Sequence, residues 1–100
     1  MDTSGVRVLA TFRMKEGKLD EMLKALRTLV NGVCKEAGCI EYDCFVDTKD
    51  PLLFTFIEHW TSEEDLKAHS AGDPVKRWSA MAPELREPGT EIRILKSVWE

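Results

Sequence analysis

The stretch from Leu52 to Trp60, LLFTFIEHW, constrains this chain more than any other. Aromatic and branched residues dominate it, and its length fits a strand. A period of two puts Leu52, Phe54, Phe56, Glu58 and Trp60 on one side, and Leu53, Thr55, Ile57 and His59 on the other. Both sides are largely apolar. A strand with water on one side would alternate, so the sheet that holds this one needs cover on both faces.

The flanking segments supply one cover. Val6 to Phe12 alternates, with Val6, Val8, Ala10 and Phe12 on one side, and predicts a first strand. Leu19, Met22, Leu23, Leu26, Leu29, Val30, Val33 and Ala37 recur at spacings of three and four. They predict a helix of about five turns, ended by Gly38 as a left-handed cap. Cys39 to Val46 reads as the second strand, with Ile40, Tyr42, Cys44 and Val46 on one face, and Asp47 to Pro51 as a hairpin turn. Thr61-Ser62-Glu63-Glu64 has capping-box spacing for a second helix bearing Leu66 and His69. Ala71-Gly72 breaks it and Asp73-Pro74 restarts one, with Asp73 as N-cap. Val75, Trp78, Met81 and Ala82 form its apolar face, and Pro83 ends it near Ala82. Glu91 to Trp99 reads as the last strand.

Strand, helix, strand, strand, broken helix, strand is the order of a ferredoxin-like split βαβ unit. It is an α+β fold with a four-stranded antiparallel sheet and its helices on one face. One hundred residues make a single domain, 1–100, with a thin core. The second face of the central strand would expose several hundred square ångströms if bare. A homodimer packed sheet to sheet is therefore expected.

Net charge of −4 and the lack of a basic cluster argue against nucleic acid. No apolar run reaches the roughly 18 residues of a membrane span. The start, MDTSGVRV, does not read as a signal peptide, and a cytoplasmic setting is expected. Cys34, Cys39 and Cys44 form no CxxC pair. They are expected to be small buried hydrophobes without disulfide or zinc, with Cys39 and Cys44 on opposite faces of their strand. His59 and His69, on strand and helix, do not have a metal spacing.

Glu36-Ala37-Gly38-Cys39-Ile40-Glu41-Tyr42 resembles the E-x-G-C-hydrophobic-x-Y segment of the antibiotic biosynthesis monooxygenase family. Phe54 to Glu58-His59-Trp60, followed by His69, resembles that family's third-strand E-x-W and the histidine on the next helix. The resemblance implies a dimeric α+β barrel. It also implies cofactor-independent oxygenation of a small aromatic quinol or anthrone by dioxygen, without a metal. Haem-degrading proteins, isomerases and ligand binders without known activity share the family, so these readings stay open. Phe56 stands where some polyketide oxygenases carry asparagine, and Val6 to Phe12 lacks the asparagine of the haem-degrading members.

Such chemistry needs an apolar pocket, a group to take a phenolic proton, and shelter from water. His69 is the candidate base, since histidine as a type titrates near neutrality. Trp60 is the candidate to stack on a flat ring and offer its indole N–H. Glu58 is the third candidate catalytic residue, to orient a histidine or arginine; its structural alternative is an ion pair with Arg93 or Arg77. Tyr42, Phe54, Phe56, Trp78 and Met81 are the expected pocket walls. Each also has a structural reading: His69 and Trp60 as packed core, Glu58 as an ion pair, Trp78 and Met81 as helix core.

Overall fold

A computed structural model describes residues 2–100. The elements are β1 (Val6–Arg13), α1 (Leu19–Val33), β2 (Cys39–Val46), β3 (Leu53–Trp60), α2 (Glu63–Ser70), α3 (Asp73–Leu85) and β4 (Glu91–Leu95). They form one four-stranded antiparallel sheet in the order β2-β3-β1-β4. The predicted α+β, ferredoxin-like architecture is the one observed. No helix among the described residues is long and apolar enough to cross a membrane.

The two-faced β3 sits beside β1 in the sheet centre. Its inner face packs Phe54, Phe56, Glu58 and Trp60 against β1's Val6, Val8, Ala10 and Phe12, all buried. Residues directly opposite across antiparallel strands share a face. Phe12, Phe54, Phe56 and Trp78 make one aromatic cluster, with ring centroids 5.5–5.8 Å apart. The outer face carries Leu9, Phe45, Ile57 and Leu95, with a Thr11–Thr55 hydroxyl bond of 3.1 Å between them. Phe45 is 49% and Ile57 37% exposed, because no helix among the described residues covers that side.

Several boundaries differ from those expected. α1 stops at Val33, a turn short of Ala37, because the Lys35 and Glu36 N–H groups donate back only three residues, to Gly32 and Val33. Its Leu19 and Leu23 are exposed rather than core. Gly38, at φ +79°, then reverses the chain. α2 is capped by Ser62, whose Oγ accepts the Asp65 N–H at 3.1 Å, one residue later than expected. α3 is capped by Gly72, with Asp73 already helical, and it runs through Pro83 to Leu85. Pro83 cannot donate to the Ser79 carbonyl. Tertiary contacts hold the last turn instead: Leu85 is buried and its carbonyl accepts the Lys15 N–H at 2.9 Å.

β4 ends at Leu95, not Trp99; beyond it, Val98 and Trp99 are exposed with no strand to pair against. A bulge between Cys39 and Glu41 sets Cys39 opposite Trp60 and Cys44 opposite Phe56. Both cysteines therefore pack on the core side, not on opposite faces. Cys34 is exposed, so not all three cysteines are buried.

Candidate active site

β3 and α2 bring Glu58, Trp60 and His69 together, and the turn after α1 adds Glu36. Trp60 is fully buried. Its indole N–H donates to Glu58 Oε1 at 2.9 Å, two residues back on the same strand face. His69, on the sheet-facing side of α2, lies over Trp60 with ring centroids 4.6 Å apart, and the Tyr42 ring meets it edge-on at 5.3 Å. Glu36 Oε1 is 2.7 Å from His69 Nδ1, and Glu58 Oε1 is 4.0 Å from Nε2.

These distances fix the histidine. A carboxylate oxygen accepts, so Nδ1–H donates to Glu36, and a neutral ring held this way carries its lone pair on Nε2. The gap to Glu58 is too long for a hydrogen bond. Burial pushes the Glu58 carboxyl above the ordinary glutamate range, against the opposing pull of the Trp60 N–H and of His69. Burial likewise holds the Tyr42 phenol well above its usual range, so it stays protonated. The two carboxylates address opposite nitrogens of one ring and cannot converge on a single metal ion.

Glu58, His69 and Tyr42 form the polar end of a cavity of about 440 Å³ between the sheet and α2/α3. Val8, Ala10, Phe12, Phe56, Val75 and Trp78 make its apolar walls. Ile92 and Ile94 stand opposite Ala10 and Val8, on the same face. At 62% and 58% exposed, they form its open side.

Of the expected walls, Tyr42, Phe56 and Trp78 line this cavity. Phe54 lies deeper, in the aromatic cluster. Met81 sits on the far flank of α3, 41% exposed in a groove against α1. Trp60 lies behind His69 rather than in the wall, and its N–H is already committed to Glu58. Among the described residues Glu58 has no arginine partner, and neither Arg93 nor Arg77 lies within ion-pair distance of it. His59 points to the other face, where its Nε2 lies 2.9 Å from the Ser4 carbonyl. No local pattern marks Glu36 as a partner of His69, although it opens the E-x-G-C segment. Arg86, Thr90, Ile92 and Ile94 also line the cavity, with no sequence spacing to announce them.

The sequence profile of a family described as antibiotic biosynthesis monooxygenase matches residues 5–81. Among solved structures, a conserved protein from Methanosarcina mazei Go1 is similar at 28% identity over 95% of this chain and 94% of its own, with TM-score 0.90. A structure described as an antibiotic biosynthesis monooxygenase is similar at 30% identity over 93% and 98%, with TM-score 0.86. PA3566 from Pseudomonas aeruginosa is similar at 28% identity over 98% and 99%, with TM-score 0.84. None of the curated proteins matches the chain.

Proposed function

The chain belongs to the antibiotic biosynthesis monooxygenase family, and from that premise we propose that it is a cofactor-independent monooxygenase oxidising a small quinol- or anthrone-like aromatic with dioxygen. One observation carries the reading: His69 stands on an apolar cavity wall with its tautomer set by Glu36 and its Nε2 unpaired. In this scheme Nε2 takes a phenolic proton. The phenolate gives one electron to dioxygen, the two radicals join in a C–O bond, and the hydroperoxide loses water to leave a carbonyl. Quinol plus dioxygen gives hydroxyquinone plus water, and the proton His69 took leaves in that water. Glu58 and Tyr42 border the reacting end, while Phe56 and Trp78 flank the ring.

Oxygen uptake by chelator-treated protein across a panel of quinols tests this. We expect turnover in the wild type and its loss in His69→Ala. No uptake with any quinol, or uptake indifferent to the substitution, overturns the mechanism. One observation favours a second reading, a ligand-binding dimer without turnover: the indole N–H of Trp60 is already spent on Glu58 and has nothing left to offer a substrate. That reading expects aromatic ligands to bind without oxygen consumption.

The bare outer face, with Phe45 and Ile57, is assigned to a second copy packed sheet to sheet. Sedimentation at micromolar concentration is expected to give a dimer, and Ile57→Lys a monomer. A monomeric wild type would overturn the assignment.

A further inference from the structure

Arg86 closes α3, and its backbone is held on every side. Its N–H donates to the Ala82 carbonyl at 2.9 Å, it forms an antiparallel bridge with Met14, and the next N–H, of Glu87, donates to the Arg13 carbonyl at 2.8 Å. Lys15 Nζ donates to the Pro83 carbonyl at 2.9 Å and ties the same turn down from outside. The half-buried side chain of Arg86 lines the cavity and is the only lysine or arginine among its lining residues.

That guanidinium has no acidic partner among the described residues. Its one hydrogen bond is from Nη1 to the Glu87 carbonyl at 3.3 Å. Acidic residues outnumber basic ones 18 to 14, and Arg13 nearby reaches Asp50 at 2.7 Å. An arginine that lines an apolar chamber from an anchored backbone, while leaving most of its donors unused, is a carboxylate receptor by chemistry: its planar fork matches two carboxylate oxygens. Ser79 and Thr90, also in the lining, are hydroxyl residues that can add donors. One guanidinium without a nest of backbone N–H groups is too little for a phosphate dianion.

The positions of the two ends set the substrate's orientation. Glu58 pairs with Val8 near one end of β1, while Arg86 pairs with Met14 past the other. Six residue steps separate them, about 20 Å of backbone, so a one-ring acid meets both ends with the long arginine side chain extended along the cavity. His69 and Arg86 therefore address opposite ends of one cavity.

Resting on the monooxygenase reading of this site, we infer that the substrate is a hydroxylated aromatic acid, its carboxylate held by Arg86 and its phenolic hydroxyl placed at His69. Anaerobic calorimetry with (2,5-dihydroxyphenyl)propanoate and its methyl ester tests the subsite without turnover. The acid is expected to bind at least about tenfold tighter than the ester, the scale of a charge-assisted pair. Arg86→Gln is expected to bring the acid down to the ester's affinity and leave the ester unchanged, which also shows that the variant is folded. Arg86→Lys, a point charge without the fork, is expected to keep part of the preference. Equal affinity of acid and ester in the wild type, or equal weakening of both by Arg86→Gln, overturns the inference. If the acid preference holds while no quinol consumes oxygen, the subsite stands and the monooxygenase reading falls. If acid and ester consume oxygen alike and bind alike, the reverse is true.

Discussion

His59 and His69 are ten residues apart, and each is 7% exposed. Their surroundings differ in kind. On the outer face of β3, His59 meets a backbone carbonyl at 2.9 Å, a partner with no charge to exchange. On the inner face, His69 meets one carboxylate at 2.7 Å, has a second at 4.0 Å, lies on an indole, and borders a cavity. Burial alone does not distinguish these two histidines. What separates them is whether the ring's partners can change protonation, and whether a ligand can reach its second nitrogen.

The hardest test of that contrast exchanges the two. His69→Ala is expected to lower oxygen uptake by about 10²- to 10⁴-fold, the range for losing a positioned base. His59→Ala is expected to leave uptake close to wild type and to cost about 1 kcal/mol of stability, the worth of one hydrogen bond, read by denaturant unfolding. A histidine at 59 that mattered more to turnover than to stability would erase the distinction.

Glu36→Gln sharpens it. The amide keeps the size but no longer demands a proton on Nδ1, so turnover is expected to drop by roughly 10- to 100-fold, as when a partner that orients a ring is lost. Binding of the quinol, which Glu36 does not touch, is expected to hold.

The smallest effect concerns Glu58. Burial raises its carboxyl, so the folded chain holds that proton more tightly than the unfolded one. The stability this contributes is full below the unfolded value near 4.5 and fades as pH rises through the folded value. Relative to wild type, Glu58→Gln is therefore expected to gain stability as pH is raised from about 4 to 7, read by denaturant unfolding. A difference that stays flat with pH would mean that folding does not raise the Glu58 carboxyl.

Much of this was legible in the chain. The two-faced stretch ending at Trp60 located the sheet centre, and Glu58, Trp60 and His69 lie close enough in sequence for a strand and the next helix to bring them together. Glu36 was not legible as His69's partner, because 33 residues separate them and only the turn at Gly38 folds the carboxylate back. Helical spacing revealed the stripe of Val75, Trp78, Met81 and Ala82, but not which flank faces the cavity, and Met81 fell on the wrong one. Period-two reading missed the bulge at Cys39, since one extra residue reverses every face before it. Pro83 halts a helix locally, yet the buried Leu85 and the backbone bond to Lys15 carry α3 past it. No local rule contains such contacts.

The exposed Ile92 and Ile94 have a further consequence for how this fold can change over evolutionary time. They belong to a sheet-edge strand of five residues, and side chains so exposed usually tolerate replacement within about 0.5 kcal/mol. The corner with the histidine lies on other elements altogether. Drift at the edge can thus reshape the open side of the cavity while the corner of Glu36, Glu58, Trp60 and His69 is inherited intact.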